Sequence, residues 1–600
     1  MFLAAEKWRR SLTQVALVAM TGSAASVLLE LSNRHTVTEL LGWSMRAPLE
    51  ATCNAMFAVL LAWAALALTG RVLVSLLLSV TVLALLGGLH ATKLQILGKP
   101  LFPWDLVLQY REALALFPQM TASVWGRLGT LAGVLVIVGM FWAARRDRSP
   151  LPWAVRGTLG CVVLLSCWTI FPRVDKALGR VGIHHTRWQQ SESYRTNGLL
   201  LGIALNANTA VVNAPEDYGA TSVEAAVGEL PQATAPASDE RPTVIVVMSE
   251  SFFDATRLPK VKFLDDPIPN VRRLQAQHTS GTLFPPVFGG GTANTEFEVL
   301  TGHSMRFLPE GSVPYQQYLH RKHPSLASLY AAQGYETVAV HTFHRWFWER
   351  DQVYRHLGFQ KFVGLEDMPR PTLAGSYPSD SMLTTQLIQQ FEARTRPLFL
   401  FGISMEAHGP YQADRYAKQT IRFESQLDPA ARAQLVTYLE ASHHADRELG
   451  ALVQYFSRVK TPVFIVFFGD HLPSLPRVFE QTGAIGSLKQ LSLEQRAFLH
   501  QVPLLIWSNT LTEPKKLPAM GTSFLGPVIL ETTGTPGSRY TEFLTEVRRS
   551  LPVMLPGLVR DPDGKLSADP PDELKSLERA WWTLEYDQLF GAQYLGRDKS

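Results

Sequence analysis

A chain of 600 residues is too long for one ordinary compact domain, so at least two regions with different jobs are expected. Its formal charge of +4 is spread along the chain rather than gathered into a basic run, which argues against nucleic-acid binding. The three cysteines, Cys53, Cys161 and Cys167, all lie in or beside apolar segments, which excludes disulfides and cysteine-ligated metals from the C-terminal region.

Five apolar segments come first, at about residues 12–29, 55–68, 72–89, 128–144 and 151–171, each approaching the roughly 20 residues that cross the hydrocarbon layer. The first is longer than a signal-peptide core and is followed by further spans, so it is expected to stay as an anchor. Lys7, Arg9 and Arg10 precede the first span, and Arg145, Arg146 and Arg148 separate the fourth from the fifth. The positive-inside bias places both clusters in the cytoplasm. Thr69, Gly70 and Arg71 then make a tight inside turn, and an odd number of spans delivers everything after Phe171 to the outer side. Arg173, Lys176 and Arg180 run against that bias, which a long following domain can override. One helix would suffice as an anchor; five spans and an aromatic outer loop at 101–110 are as compatible with a lipid-facing role.

Residues 1–172 therefore read as a transmembrane domain and 173–241 as a juxtamembrane segment, with an amphipathic helix near 194–212 and a flexible tether near 230–242 rich in Ala, Pro and Ser. From 242 to 600 the pattern is that of a soluble domain. Short β-rich apolar runs at 244–248, 337–340, 398–403, 463–468 and 502–507 alternate with helical stretches such as 325–333 and 434–456. That alternation predicts an α/β fold with a mostly parallel sheet covered on both faces.

Glu250, His341, His408, Asp470 and His471 all follow these runs closely. In an open α/β sheet the ligand crevice lies at the carboxyl ends of the strands, so residues far apart in sequence converge on one rim. Glu250, Asp470 and His471 make a hard oxygen and nitrogen set suited to manganese, magnesium or zinc, although an Asp-His pair after a strand is more often structural. Gly289-Gly290-Gly291-Thr292 is the sharper signal: glycines let a backbone approach a phosphate, and Thr292 would open a helix with free N–H groups aimed at an anion. A threonine there is either a metal-activated nucleophile or an ordinary N-cap, and the loop by itself favours the cap.

Five motifs occur in order over 243–507: Ser249-Glu250-Ser251; Gly-Gly-Gly-Thr292 with Glu296-Phe297; His341 with Phe347-Trp348-Glu349-Arg350-Asp351; Glu406-Ala407-His408; and Gly469-Asp470-His471. Together with the multi-span N-terminal half, the set resembles the lipoteichoic acid synthase and phosphoglycerol transferase family. The resemblance implies a sulfatase or alkaline-phosphatase-like domain with one catalytic divalent ion, manganese or, less often, magnesium. It implies that Glu250, Thr292, Asp470 and His471 hold the ion and that Thr292 is the nucleophile, transiently esterified to glycerol phosphate. His341, Phe347, Trp348, Arg350 and His408 would then form the glycerol-phosphate site, with Arg350 as a phosphoryl clamp. The implied donor is phosphatidylglycerol, and the implied location is a bacterial cytoplasmic membrane with the catalytic domain on the periplasmic or extracellular side. Gram-positive synthases carry a lysine just before the threonine, whereas Gly291 stands here, as in Gram-negative relatives. That departure leaves either an envelope glycan, such as a periplasmic glucan, or a polyglycerolphosphate chain as acceptor.

Three other readings stay open. A sulfatase would need a Cys or Ser in a C/S-x-P-x-R context, which the chain lacks. A phosphoethanolamine transferase resembles a two-zinc, disulfide-stapled domain, which a cysteine-free domain does not match. A degenerate scaffold protein of envelope assembly would be expected to have lost a ligand or the nucleophile, yet Glu250, Thr292, Asp470 and His471 are all present.

Overall fold

The computed structural model describes residues 2–34, 36–97, 100–108, 138–139, 142–143, 145–146, 150–170, 178–183, 190–207, 212–228, 241–375, 377–488, 490–510 and 513–596. Two compact units result: Met1–Val212 with Pro309–Gly311, and Asn213–Leu308 with Ser312–Ser600. Residues 213–228 thus belong to the second unit, ahead of the expected domain start at 242.

The first unit is helical. Among the described residues, helices α1 (Phe2–Arg34), α2 (Pro48–Thr69) and α3 (Val72–Leu97) contain the three stretches long and apolar enough to cross a membrane, and α4 (Trp153–Ile170) is a shorter apolar helix. The expected span at 128–144 falls mostly outside the described residues, as does the expected tether. Gly70 closes α2 in the left-handed conformation, giving the tight turn foreseen at Thr69 to Arg71. The segment expected to be an amphipathic helix near 194–212 is instead two short helices, α5 (Gln190–Asn197) and α6 (Leu199–Ala207). They break at Gly198, whose φ of 88° brings it against Asn54, where any Cβ would lie 2.4 Å from the amide nitrogen. Side chains of the preceding helices hold this break: Asn54 Nδ2 donates to Asn197 O (2.6 Å) and Asn33 Nδ2 to Tyr194 O (3.0 Å). Leu199, Leu201 and Leu205 are all buried, so α6 docks as an apolar rod rather than lying with one wet face.

The second unit is built on an eight-stranded sheet. Its strands in chain order are β1 (Thr243–Ser249), β2 (Thr279–Phe284), β3 (Glu336–His341), β4 (Lys361–Val363), β5 (Leu398–Ile403), β6 (Val463–Gly469), β7 (Val502–Ser508) and β8 (Met520–Gly521). The spatial order is β8-β2-β7-β6-β1-β5-β3-β4. The run β6-β1-β5-β3-β4 is parallel, and β7 is antiparallel to both of its neighbours. All five strands anticipated from apolar runs are present, in the mostly parallel sheet expected.

Strand β1 shows why the runs are continuous rather than alternating. All seven of its residues are buried, Val244, Val246 and Met248 in one apolar cluster and Ile245 and Val247 in another. Helix α7 (Thr292–Thr301) contributes Phe297 and Val299 to the first cluster, while α8 (Asp380–Ala393) and α9 (Pro429–Phe456) contribute Leu383, Leu387 and Leu449 to the second. Period-two side chains on a central strand thus serve helices on both faces.

Candidate active site

Strands β1 and β6 run parallel with Ser249 opposite Gly469, so the residues that follow them, Glu250 and Asp470-His471, leave the sheet side by side. Gly469 is required there, because a Cβ would meet the carbonyl oxygen of Phe252 at 2.0 Å. Ser251 takes a left-handed φ of 53°, and its backbone N–H donates to Asp470 Oδ1 at 2.7 Å, joined by the N–H of His471 at 2.8 Å. One carboxylate oxygen of Asp470 is therefore fixed, and the other, Oδ2, is buried with no hydrogen-bond partner among the described residues.

His471 is arranged the same way. Its Nδ1–H donates to Leu472 O at 2.9 Å, which leaves the buried Nε2 without a partner, 3.2 Å from Asp470 Oδ2 and 3.8 Å from Glu250 Oε1. One atom each from Glu250, Asp470 and His471 lies within 4.8 Å of the others, the one such cluster among the described residues. Burial, and next the charge of Asp470, push the Glu250 carboxyl up to about 8. Buried acidic groups and an imidazole lone pair converging, with Asp470 Oδ2 and His471 Nε2 left without hydrogen bonds, are poor company for one another and good company for a divalent cation, so these residues fit such an ion.

The glycine loop delivers the hydroxyl. Gly289, Gly290 and Gly291 have φ of 70°, 147° and 96°, a backbone path that side chains would strain, and Thr292 opens α7 directly after them. Its Oγ1 donates to Glu250 Oε2 at 3.4 Å, while Gly291 occupies the N-cap position, so Thr292 is not the N-cap that the loop by itself favoured. One turn further on, Thr295 Oγ1 donates to the main-chain carbonyl of Asp470 at 2.8 Å and ties α7 to the end of β6.

His341 ends β3 and His408 follows β5. His341 Nδ1–H donates to Ile403 O (3.2 Å) and His408 Nδ1–H to Gly409 O (2.6 Å), so both present Nε2 as an acceptor. Burial lowers the pKa of both rings, with the Arg350 charge adding to it at His341, and both stay neutral near pH 7. Glu406 holds the His408 loop in place by accepting from His444 Nδ1 (2.6 Å), Tyr416 OH (3.0 Å) and the N–H of Asp380 (2.9 Å).

Arg350 departs from the free phosphoryl clamp expected of it. Its side chain is 1 % exposed and pairs with Glu296 through Nη2 (2.5 Å) and Nε (3.1 Å), and Tyr354 OH donates to the other oxygen of Glu296 at 2.6 Å. Nη1 donates to Phe347 O at 3.4 Å. Arg350 thus braces the turn of Phe347 and Trp348, in which Trp348 and Glu349 both take left-handed φ, 59° and 56°.

A sulfatase family model matches residues 242–535. A putative cyclic β-1,2-glucan modification protein of Rhizobium meliloti (strain 1021) is 37% identical over 520 residues, covering 83% of this chain and 79% of that protein. The chain belongs to the sulfatase family. Another relative, lipoteichoic acid synthase 1 of Bacillus subtilis (strain 168), is 24% identical over 276 residues, 43% of this chain and 40% of the synthase. Among solved structures, the Streptococcus pyogenes phosphoglycerol transferase GacH in complex with sn-glycerol-1-phosphate shares the fold at a TM-score of 0.53 and 23% identity, covering 64% of this chain and 97% of that one.

Within this sulfatase-family domain two supporting residues went unread in the sequence. Ser404, whose Oγ accepts from the N–H of Glu250 at 3.0 Å, and Tyr377, whose OH lies 3.1 Å from His408 Nδ1, carry no local signal. Glu296 stood in the motif set without a role; it lies on a helix buried from Ala293 to Thr301, where a carboxylate is obliged to find a partner.

Proposed function

We propose that this chain is a membrane-bound, metal-dependent phosphotransferase that moves glycerol phosphate from phosphatidylglycerol to an envelope glycan through an ester on Thr292. The observation that carries the reading is the Thr292 hydroxyl bonded to Glu250, which shares a tight cluster with the unpartnered Asp470 Oδ2 and His471 Nε2. The named activities of the relatives, glucan modification, lipoteichoic acid synthesis and phosphoglycerol transfer, support the substrate class.

Glu250, Thr292, Asp470 and His471 would hold one divalent ion, manganese or magnesium, which lowers the pKa of a hydroxyl and offsets phosphoryl charge. Thr292 Oγ attacks the phosphorus of the lipid and loses its proton. The bond from phosphorus to the diacylglycerol oxygen breaks, and diacylglycerol leaves having gained a proton. An acceptor hydroxyl then attacks the phosphorus of the Thr292 ester, giving its proton to the free Nε2 of His408, and Thr292 regains a proton as it departs. Neutral His341 accepts from a glycerol hydroxyl, and Phe347 and Trp348, braced by Arg350, wall the pocket. The cationic clusters before the first span and at 145–148 orient the chain in a bacterial cytoplasmic membrane with this domain on the outer side.

The test uses purified full-length protein with manganese, phosphatidylglycerol labelled in its headgroup, and cyclic β-1,2-glucan. Diacylglycerol should appear and label should pass to the glucan; chelation should stop both. Thr292→Ala should fall to background, and wild type trapped without acceptor should carry glycerol phosphate on the Thr292 peptide. An active Thr292→Ala variant, or label recovered only as free glycerol phosphate, overturns the reading.

A further inference from the structure

Residues 343–348 read Phe-His-Arg-Trp-Phe-Trp, a concentration of rings that the proposed chemistry uses only at Phe347 and Trp348. All six residues are half-buried, although large apolar rings serving only a core are normally taken fully inside. The rings form one connected surface that starts at His341, whose centroid is 6.2 Å from Phe343. Phe343 contacts His344 (5.0 Å) and Phe347 (5.1 Å), and His344 and Trp346 stack at 5.5 Å with planes 20° apart. Trp346 in turn lies 5.9 Å from Phe347, and Phe347 5.4 Å from Trp348.

The surface is held by backbone bonds rather than left loose. Phe347 N–H donates to His344 O (3.1 Å), Asp351 N–H to Arg345 O (3.0 Å) and Leu365 N–H to Phe343 O (2.9 Å). Trp348 and Glu349 take the left-handed conformation in succession, a strain that folds keep where it serves a site.

Its edges are polar. His344 Nδ1 pairs with Glu366 at 2.8 Å and Arg345 with Asp367 at 3.2 Å, with these four side chains 37–41 % exposed. A pyranose ring offers this pattern in reverse: an apolar C–H face for the rings and a rim of hydroxyls for carboxylate and guanidinium. A lipid tail would leave the charged rim unused, and an anionic headgroup would meet an arginine already neutralised by Asp367.

Resting on the reading of the acceptor as an envelope glycan, we propose that Phe343, His344 and Trp346 form the acceptor subsite, an aromatic shelf. On it a neutral pyranose ring stacks while Arg345, Glu366 and Asp367 bind its hydroxyls. The continuity of rings into the Phe347–Trp348 pocket delivers the next hydroxyl toward the Thr292 ester.

The test measures cyclic β-1,2-glucan binding to the full-length protein in detergent by calorimetry, without donor, and then KM for glucan and for phosphatidylglycerol in transfer assays. Trp346→Ala should raise the Kd and the KM for glucan about tenfold, the scale of losing a central aromatic contact, and leave the KM for phosphatidylglycerol unchanged. Trp346→Phe, which keeps a ring, should recover most of the affinity. Wild-type glucan affinity in Trp346→Ala overturns the shelf, and so does an equal rise in both KM values, which would make the loop a part of the donor pocket. Wild type that releases diacylglycerol but binds no glucan overturns the shelf and leaves the Thr292 chemistry standing. Absence of diacylglycerol release sinks that chemistry instead, while the binding measurement still decides the shelf.

Discussion

Arg350 and Glu296 are both buried, and neither could be there alone. An isolated charge taken out of water costs several kcal/mol, which the pair offsets through two guanidinium nitrogens on one carboxylate and a further bond from Tyr354. Arg350→Ala should therefore lower the unfolding free energy of the second unit by about 3–5 kcal/mol, because it leaves the Glu296 charge uncompensated. Denaturant unfolding of the variant reads this directly. A loss under about 1 kcal/mol with a weakened phosphatidylglycerol KM would restore Arg350 to the role of ligand clamp. The sequence showed an arginine three residues beyond Phe347 in a recognisable motif, which identified the neighbourhood. It could not show the partner, since Glu296 lies on α7 and meets Arg350 only once both elements pack.

At the scale of elements, the site depends on how closely β1 and β6 part at their ends. Gly469 lets the Phe252 carbonyl pass within what would be 2.0 Å of a side chain, so Gly469→Ala must push the turn after β1 away from Asp470. The Ser251 and His471 N–H groups that fix Asp470 Oδ1 would separate with it. Loss of such supporting contacts typically costs 10–100-fold in metal affinity, and a drop of that size in manganese binding is expected. Equilibrium dialysis with near-native far-UV circular dichroism would check it; unchanged manganese affinity would show that the strand ends tolerate the shift. The five strands of long apolar runs were legible because a central strand is buried on both faces and must be apolar throughout. β2 was not: Thr-Ser-Gly-Thr-Leu-Phe has two large apolar residues, and pairing between β7 and β8 makes it a strand. β4 and β8, of three and two residues, are too short for any periodicity.

On the scale of the whole molecule, stability and its pH dependence depend on charges that folding hides. Glu298 is buried, bonded to Met305 N–H and Thr522 Oγ1, and burial pushes its carboxyl up to about 7 from an ordinary 4.5. A raised carboxyl contributes stability that is complete below about 4.5 and lost as pH rises through about 7, because the unfolded chain then releases a proton the folded one keeps. Glu298→Gln should remove that loss, so variant minus wild-type stability should increase between pH 5 and pH 8 by at most about 3 kcal/mol. His303 and His323, held neutral by burial, titrate in the opposite sense, so only the difference between the two proteins at each pH isolates Glu298. A pH-independent difference would mean that Glu298 is ionised inside the fold. By itself the sequence determined the division into an apolar helical half and an α/β half, the mostly parallel sheet, and the rim where Glu250, Thr292, Asp470 and His471 were expected, since hydrophobic length, strand burial and glycine spacing are local properties. Tertiary structure alone decided that the segment near residue 198 is broken and docked, that Arg350 faces Glu296, and that rings at 343–348 join into one surface. Each of these depends on which distant groups share a buried space, and burial is where an unpaired charge or donor becomes costly enough to choose its partner.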